Sequence, residues 1–384
     1  MFQTSYIELS ESAVKNNIDF IQKILNEGVT FSSVVKGNAY GHGMDYYCPL
    51  VYKYGIRHFS VFSAEEALSV TKALSNHEFT LMIMGQIENE ELPWAIENNI
   101  EFYVFEQDRL EAAIAIAKKL AKKAFIHVEL ETGMNRTGFA HKDFTATFKK
   151  IEANQNYIEV KGVCTHFAGA ENIANYKRVT DQFNRFKRYQ TLLNAFPWLN
   201  AKKHLASSSA TIRYPSSQMD LVRIGILQFG FFPTQEIFMH YATKYKTNLN
   251  PLKPVLSWKT RVMDVKTVKA GEFIGYGTSY LTNQATKIAL LPVGYSSGYS
   301  RSLSNRGKVL INGTRFDVIG SINMSMLAVD ISSDETIKKG DEVVLIGHQA
   351  DQELSVSSFS DFSQLINYEL LTRLPQDIPR IITK

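Results

Sequence analysis

A lysine set among glycines is the feature of this sequence that most suggests chemistry. The stretch 34–43 reads Val-Val-Lys-Gly-Asn-Ala-Tyr-Gly-His-Gly, and the strand-forming run 31–35, Phe-Ser-Ser-Val-Val, leads into it. A lysine at the end of a buried strand is desolvated, so its amine is more easily deprotonated. An ordinary surface lysine has no need of a buried strand before it and glycines after it. A deprotonated amine can form a Schiff base with an aldehyde. We therefore predict that Lys36 carries a covalent cofactor; the alternative is a solvated lysine before a glycine turn.

The elements that would position this lysine alternate between short apolar strands and amphipathic helices. The predicted strands are 31–36, 58–63, 79–85, 101–105, 124–130, 158–167, 203–207 and 221–226. Strands that alternate with helices in this way predict an α/β fold, an N-terminal (β/α)8 TIM barrel. A doubly wound open sheet is the alternative, but its Gly-x-Gly-x-x-Gly nucleotide loop is absent.

The second part of the chain has a different pattern. After about residue 235, short alternating strands are separated by Gly, Asn and Asp turns, and Asn312-Gly313 is typical of a tight hairpin. This pattern predicts a C-terminal all-β domain, with a helix near 356–366. We place the barrel at residues 10–238 and the β domain at 239–384, joined by an N-terminal strand over 1–9.

Composition excludes several classes of protein. The chain has 384 residues, 45% of them hydrophobic and 21% charged, and a net charge of +4. Because the acidic and basic residues are interspersed, nothing marks a nucleic-acid surface. The two cysteines, Cys48 and Cys164, lie in unrelated contexts, which excludes a disulfide framework or a cysteine metal site. No segment approaches the ~20 apolar residues of a membrane span, so we expect a cytoplasmic protein without membrane partners.

Chemistry-bearing residues gather at the carboxyl ends of the predicted strands, where TIM barrels hold their active sites. They are Lys36, Arg136, His166, His204 and Arg223. The alternative for His166 or His204, taken alone, is a hydrogen-bonded core histidine. The alternative for Arg223 is a buried ion-pair partner.

A phosphate site is predicted at the last two strands of the barrel. The segment 207–211 reads Ser-Ser-Ser-Ala-Thr, and Gly225 follows the eighth strand. Loops at these two strands commonly bind phosphate in TIM barrels. A phosphate there with a reactive lysine on the first strand is the layout of a pyridoxal-phosphate enzyme.

At this point the residues carry a family resemblance. The stretch 34–43 resembles the cofactor-attachment signature of the alanine racemases, a pyridoxal-phosphate enzyme family of fold type III. Further motifs agree in order and spacing along the chain: Glu131-Thr132-Gly133-Met134-Asn135-Arg136-Thr137-Gly138-Phe139, Thr165-His166-Phe167-Ala168, Val222-Arg223-Ile224-Gly225-Ile226, Gly275-Tyr276-Gly277-Thr278-Ser279-Tyr280, Pro292-Val293-Gly294-Tyr295 and Ile366-Asn367-Tyr368-Glu369.

The resemblance implies an isomerase that interconverts L- and D-alanine and supplies D-alanine for the cell wall. Its cofactor is pyridoxal 5'-phosphate, and no metal is expected. Racemisation needs one acid/base group on each face of the substrate. By analogy Lys36 handles the D-isomer proton and Tyr276 the L-isomer proton. The family implies a homodimer in which Tyr276 completes the site of the partner subunit.

The resemblance also implies the binding residues. His166 assists Tyr276 and connects through Arg223 to His204, and Arg223 faces the cofactor ring nitrogen. A permanent cation there keeps that nitrogen unprotonated, which favours proton return over other reactions. The cofactor-binding residues are Lys36, Tyr40, His166, Ser208, Arg223, Gly225, Ile226 and Gln376. The substrate-binding residues are Arg136 and Met324, and the supporting residues are Glu129, His204 and Tyr295.

Three positions depart from the family pattern. At position 129 many members have a carbamylated lysine that orients the substrate-binding arginine, here Arg136, whereas this chain has Glu129. We predict that Glu129 supplies the negative charge in place of the carbamate. The alternative is an ordinary strand-end glutamate that faces solvent. Gln376 stands where many relatives have a tyrosine at the substrate entrance. Ser325 stands where an aspartate is common. The last two changes favour a wider or less acidic pocket.

Three other functions remain open. The first is a racemase of another or broader substrate range, such as serine, lysine or ornithine. The second is a decarboxylase on the same architecture, but those relatives use an acid at the ring nitrogen and a cysteine in the second domain, and no cysteine follows residue 164. The third is a non-catalytic pyridoxal-phosphate-binding protein. Such proteins resemble the barrel alone, which the β domain with Tyr276 argues against.

Overall fold

The structure, a computed structural model, describes residues 3–356 and 367–384. The chain divides into two compact units. One contains residues up to Ala13, Gly37–Tyr47 and the residues from Pro254 onward, and the other contains Val14–Lys36 and Cys48–Lys253. The predicted boundary between residues 238 and 239 stays a prediction.

The unit of Val14–Lys36 and Cys48–Lys253 is built on eight parallel strands. They are β2 (Thr30–Val34), β3 (His58–Val61), β4 (Thr80–Ile83), β5 (Glu101–Val104), β6 (Ala124–Glu129), β7 (Ile158–Cys164), β8 (Lys202–His204) and β9 (Leu221–Ile224). Their order is β8-β7-β6-β5-β4-β3-β2-β9. The Arg223 amide donates to the Ala206 carbonyl at 2.9 Å, which nearly closes the sheet between β8 and β9. The predicted α/β barrel is confirmed.

Helices follow most of these strands. Their bounds are α1 (Glu11–Ile24), a left-handed turn α2 (Lys36–Tyr40), α3 (Met44–Lys53), α4 (Ala64–Ala73), α5 (Leu92–Glu97), α6 (Gln107–Leu120), α7 (Phe144–Glu152), α8 (Tyr176–Leu193), α9 (Ser208–Arg213) and α10 (Gln235–Tyr245). In α8, Val179, Phe186 and Leu193 are buried and lie seven residues apart, so they share one face of the helix. That spacing is the amphipathic signal expected of helices that cover a barrel.

The other unit is built on a ten-stranded, mostly antiparallel sheet. Its strands are β1 (Ser5–Ser10), β10 (Leu256–Arg261), β11 (Asp264–Val268), β12 (Thr286–Leu291), β13 (Lys308–Ile311), β14 (Thr314–Ile319), β15 (Leu327–Asp330), β16 (Glu342–Gln349), β17 (Gln352–Leu354) and β18 (Arg380–Thr383). Asn312 and Gly313 connect β13 to β14 with φ values of 51° and 76°, as a two-residue hairpin turn requires. The N-terminal β1 lies between β10 and β18, and a short helix α11 (Asn367–Thr372) precedes β18.

The predicted helix near 356–366 lies, apart from Val356, outside the described residues. Within the described ranges, no helix has the length and apolar character needed to cross a bilayer. The same part of the chain holds no group of three or more side chains suited to a metal ion.

Candidate active site

Lys36 follows strand β2 at the carboxyl end of the barrel strands. The amide of its neighbour Val35 donates to the Ser60 carbonyl at 2.9 Å, which ties the end of β2 to β3. Lys36 as a whole residue is exposed, unlike the enclosed lysine that the sequence predicts. Packing around the amine, with the positive charges of Arg136 and Arg223, nevertheless lowers its pKa. An amine with a lowered pKa is more often unprotonated, which both Schiff-base formation and proton transfer require.

The residues after Lys36 follow a left-handed path. From Gly37 to Gly41 every φ lies between 51° and 79°. The amide of Gly41 donates to the carbonyl of Gly37 at 3.0 Å, and that of Gly43 to Asn38 at 2.9 Å. A Cβ on Gly41 would lie 1.9 Å from the Leu371 carbonyl oxygen, so that position requires glycine. Backbone geometry thus explains why position 41 of the motif is glycine.

Arg223 is fixed by hydrogen bonds inside the barrel. Its Nη1 lies 2.6 Å from His204 Nδ1 and donates to the His204 carbonyl at 3.0 Å. Its Nη2 donates to the carbonyls of Thr165 at 2.9 Å and Leu205 at 3.2 Å, and lies 3.3 Å from His166 Nδ1. Burial and the Arg223 charge lower the pKa of His166 to about 3 and that of His204 well below its usual value. A buried cation is therefore flanked by two neutral imidazoles.

A chain of buried polar side chains continues from His204 deeper into the barrel. His204 Nε2 lies 2.8 Å from His127 Nδ1, and His127 Nε2 lies 2.8 Å from Glu101 Oε2. His58 Nε2 is 3.7 Å from the same carboxylate oxygen, and its Nδ1 is 2.9 Å from Ser32 Oγ. Glu101, His127 and His58 were not predicted as site residues. The period-two alternation of β6, which puts His127 on the same face as Glu129, is the signal that could have identified His127.

Ser208, Gly225 and Ile226 lie together at the position where the phosphate site is predicted. The Gly225 amide donates to Ser208 Oγ at 3.0 Å, so the two groups that would face a phosphate are already adjacent. Ser208 begins α9, and Ile226 begins a 3-10 turn after β9. All three lie at the carboxyl ends of β8 and β9, as predicted from the sequence.

Arg136 lies on a loop that its own neighbours hold in place. The Glu131 carboxylate accepts from the amides of Gly133, Asn135 at 2.9 Å and Arg136 at 3.4 Å. Arg185 Nη1 donates to the Thr132 carbonyl at 3.0 Å. Two further side chains of α8 support the loop: Arg178 donates to the Gly133 carbonyl, and Gln182 donates to both Thr132 Oγ1 and the His166 carbonyl. These α8 side chains were not predicted, because helix periodicity alone does not show which loop a helix contacts.

Glu129 ends strand β6 inside the barrel and is only 5% exposed. Burial raises the pKa of its carboxyl group, while the Thr137 hydroxyl and the charges of Arg223 and Arg136 act in the opposite direction. Glu129 is therefore an acid enclosed near two arginines, and the alternative of a solvent-facing glutamate is wrong.

The sheet unit carries Tyr276, Met324 and Tyr295 on connected loops. Tyr276 is 75% exposed and Met324 is 59% exposed. The Met324 carbonyl accepts from the Ser296 amide at 2.9 Å, and the Tyr295 amide donates to the Asn323 carbonyl at 3.1 Å. A cavity of about 340 Å³ beside these loops is lined by Gly275, Ser321 and Asn323 among others.

Tyr40 and Gln376 lie in the same unit. The Tyr40 ring is 6.1 Å from the ring of Tyr368, so two of the quoted motifs meet there. Gln376 is exposed, and its carbonyl accepts from Arg380 Nη1 at 2.8 Å. The other guanidinium nitrogen of Arg380 donates to the Gly41 carbonyl at 2.9 Å. Arg380 thereby links the segment of Gln376 to the left-handed turn.

The barrel unit brings together one part of the predicted site. Nine residues lie in it: Lys36, Glu129, Arg136, His166, His204, Ser208, Arg223, Gly225 and Ile226. Five lie in the sheet unit: Tyr40, Tyr276, Tyr295, Met324 and Gln376. The barrel residues fit pyridoxal phosphate by their chemistry: an amine with a lowered pKa, the Ser208 hydroxyl beside the Gly225 amide, and a buried guanidinium.

Family models match both halves of the chain. The model described as "Alanine racemase, N-terminal domain" matches residues 9–233, and "Alanine racemase, C-terminal domain" matches residues 255–382. The alanine racemase of Methanococcus maripaludis is 34% identical over 377 residues, covering 98% of each chain. That of Leptospira interrogans is 31% identical over 383 residues, covering 99% of this chain and 96% of the relative.

Solved structures agree over the whole length. Alanine racemase from Bacillus anthracis with bound L-Ala-P has a TM-score of 0.89 and 28% identity, and the match covers 100% of this chain and 96% of the other. Alanine racemase from Bartonella henselae with covalently bound pyridoxal phosphate has a TM-score of 0.84 and 25% identity, with 100% of both chains covered.

Proposed function

Because the chain belongs to the alanine racemase family, we propose that it is a pyridoxal-phosphate-dependent isomerase that interconverts L- and D-alanine in the cytoplasm and supplies D-alanine for the cell wall. The observation that carries the proposal is the buried Arg223 cation with its neutral partners His204 and His166, in the same barrel as the Lys36 amine with its lowered pKa. Alanine racemases depend on pyridoxal phosphate, so the same cofactor is proposed here.

Lys36 would hold the cofactor, and Ser208 with the amides of Gly225 and Ile226 would bind its phosphate, together with Tyr40 and Gln376. When bound, pyridoxal phosphate withdraws electrons from the substrate and makes the proton at Cα acidic. Arg223 cannot give up its proton. Facing the ring nitrogen, it would leave that nitrogen unprotonated and so limit side reactions.

Two bases would move the proton. The Lys36 amine exchanges the proton of the D-isomer at Cα, and the Tyr276 hydroxyl exchanges that of the L-isomer from the opposite face. A phenol is almost fully protonated at neutral pH, so Tyr276 needs a polar neighbour, which we assign to His166. Arg136 and the backbone at Met324 would bind the substrate carboxylate. Glu129 would supply the negative charge that orients Arg136.

A homodimer with shared sites is part of the proposal. Its support is the exposure of several large side chains on the sheet unit: Phe273 at 49%, Tyr276 at 75%, Leu281 at 47%, Tyr295 at 43% and Met324 at 59%. Exposed apolar groups of this kind mark surfaces that other molecules cover. Tyr276 and Met324 would then complete the site of the partner subunit.

The test is a racemisation assay of three proteins with the cofactor absorbance followed in parallel. The wild type should interconvert L- and D-alanine. Lys36→Ala should lose both activity and the bound-cofactor absorbance, whereas Tyr276→Phe should keep the absorbance and lose most of the activity. A Tyr276→Phe variant with full activity would contradict the two-base assignment.

Mixing the two variants tests the shared sites. After subunit exchange, half of the dimers pair a Lys36→Ala chain with a Tyr276→Phe chain, and each hybrid has one complete site. About a quarter of wild-type activity should therefore return. No recovery after demonstrated exchange would place both residues of a site on one chain.

A racemase of broader range is a second candidate, favoured by Ser325 and Gln376. Both replace residues that narrow or charge the substrate entrance in many family members. The same assay with L-serine, L-lysine and L-ornithine distinguishes the two candidates.

A further inference from the structure

The buried chain of hydrogen-bonded side chains from Arg223 to Glu101 has a cation at one end and a carboxylate at the other. A guanidinium can only donate hydrogen bonds, and an ionised carboxylate can only accept them. Between them lie the imidazoles of His204 and His127, each contacting its neighbours through both ring nitrogens. The direction of every hydrogen bond in the chain is therefore determined by its ends.

One arrangement of protons satisfies all three contacts. His127 Nε2–H donates to Glu101, so His127 Nδ1 carries a lone pair, which accepts from His204 Nε2–H. His204 Nδ1 is then the acceptor for Arg223. The opposite tautomers would put two acceptors together at Glu101 and two donors together at Arg223. An extra proton on either ring also produces two facing donors, which agrees with the lowered pKa of both histidines.

The surroundings of the chain support this arrangement. Glu101 is 6% exposed, and the imidazoles of His127 and His204 are 1% or less exposed, so water does not replace a lost partner. A Cβ on Gly162 would lie 2.2 Å from His127 Nδ1 and 2.8 Å from His204 Nε2. Because Gly162 has no side chain, the imidazole rings of His127 and His204 have the space to contact each other.

We propose that Glu101 is a positioning residue and the counter-ion of Arg223, acting through the neutral His127 and His204. The carboxylate polarises His127, which makes His204 Nδ1 a stronger acceptor and holds the guanidinium in one orientation. Burial alone would raise the pKa of Glu101, but the hydrogen bond from His127 and the nearby His58 lower it, so the carboxylate is charged at neutral pH. The consequence for catalysis rests on the proposed function, whereas the tautomers do not.

The first test is the nitrogen NMR spectrum of the full-length protein labelled with 15N-histidine. The rings of His127 and His204, assigned from His127→Gln and His204→Gln, should both be neutral and protonated at Nε2. A His127 ring protonated at Nδ1, or a cationic ring at either position at neutral pH, would overturn the proposal. This measurement requires neither substrate nor catalysis, so its outcome is separate from that of the racemase assay.

The second test is Glu101→Gln, which keeps an acceptor oxygen but removes the charge. The signals of His204 should shift although Glu101 does not touch it, and kcat should fall about 3- to 10-fold with little change in KM. Glu101→Asp should restore part of the loss. The matched control is Glu159→Gln, a glutamate on β7 that pairs with Lys161 at 3.0 Å; its spectrum and kcat should match the wild type.

The third test breaks the connection between the two rings. Gly162→Ala should shift the His204 signals in the same direction as Glu101→Gln, and in the Gly162→Ala background the further change Glu101→Gln should alter kcat less than 2-fold. Equal effects of Glu101→Gln in both backgrounds, or unshifted His204 signals in Glu101→Gln, would contradict the proposal. If Gly162→Ala does not fold, the wild-type spectrum and Glu101→Gln decide.

Discussion

Arg223 Nη1 lies 2.6 Å from His204 Nδ1, so a permanent cation and a neutral imidazole share a short hydrogen bond in the barrel interior. The same guanidinium donates to three backbone carbonyls, those of Thr165, His204 and Leu205. Arg223 is therefore part of the packed interior and, by our proposal, of the site.

Arg223→Lys should damage both stability and catalysis. A lysine keeps the charge but cannot reach both imidazoles and three carbonyls, so buried acceptors lose their donors. We expect the free energy of unfolding to fall by about 2–4 kcal/mol and racemisation to fall about 100-fold or more. Chemical denaturation and the alanine assay measure the two effects.

The control is Arg213→Lys, since Arg213 lies outside the predicted site and its largely enclosed side chain is bonded to the Ala170 carbonyl at 3.2 Å and Glu236 at 3.3 Å. Its racemisation rate should stay within about 2-fold of the wild type. Comparable losses in the two variants would show that Arg223 acts through stability alone.

Glu129→Gln should weaken alanine binding. The change removes a buried negative charge near Arg136 and Arg223 and keeps the size of the side chain. We expect kcat/KM for L-alanine to fall about 10-fold, mainly through a higher KM. Wild-type activity should not depend on added bicarbonate, because the glutamate carries its charge without modification.

Two outcomes would contradict the role of Glu129: full dependence of the wild type on bicarbonate, and unchanged activity of Glu129→Gln. Glu152→Gln, at the exposed end of α7, is the control. A positive companion is Glu129→Lys, whose activity should rise with bicarbonate because a carbamylated lysine regains the negative charge.

His166 should make the folded chain less stable in mild acid. Burial, and the positive charges of Arg223, Arg136 and Lys36, lower its pKa to about 3 from an ordinary 6.5. Below the ordinary value, the unfolded chain takes up a proton that the folded chain does not, so stability falls as pH decreases from 6.5 toward 3. For this one group the loss at about pH 5.5 is about 1 kcal/mol.

Denaturant unfolding at about pH 7.5 and 5.5 measures this effect. His166→Asn should lose about 1 kcal/mol less than the wild type between the two conditions. The same substitution at an exposed position, His141→Asn, is the control for the change of residue type. An identical pH dependence in His166→Asn would mean that the imidazole binds its proton equally well in the folded and the unfolded chain, and would contradict the prediction.

Ser325 and Gln376 should determine how strictly alanine is preferred. Ser325→Asp restores a charge that many family members carry, and Gln376→Tyr restores an aromatic side chain. If the entrance is wider in this chain, the double variant should lower kcat/KM for L-serine and L-lysine relative to L-alanine by about 10-fold or more. Unchanged ratios would show that other residues set the range.

The sequence predicted the elements that local patterns encode. Strand β6 was predicted at 124–130 and occurs at Ala124–Glu129, because an apolar run after a helix is a local signal. Ser208, Gly225 and Arg223 could be placed at one end of the barrel because strand order determines which carboxyl ends meet.

The buried chain through Glu101 could not be predicted from such patterns. Glu101 begins β5 and His58 begins β3, at the end of the barrel strands where no site was expected. His58 and His127 both approach the same carboxylate oxygen of Glu101. This arrangement depends on the register and tilt of three strands and on the space above Gly162. These are properties of the closed barrel, and no spacing within one segment carries them.

The left-handed turn after Lys36 restricts which mutations the motif can accept. Asn38, Ala39 and Tyr40 all have positive φ, which costs a residue with a Cβ roughly 1–2 kcal/mol, and a β-branched residue is rarely found there at all. Position 39 therefore tolerates glycine better than valine, although valine would suit a buried site by its polarity. Over evolutionary time such a segment changes by few routes: its composition is limited by backbone handedness before any requirement of the chemistry is considered.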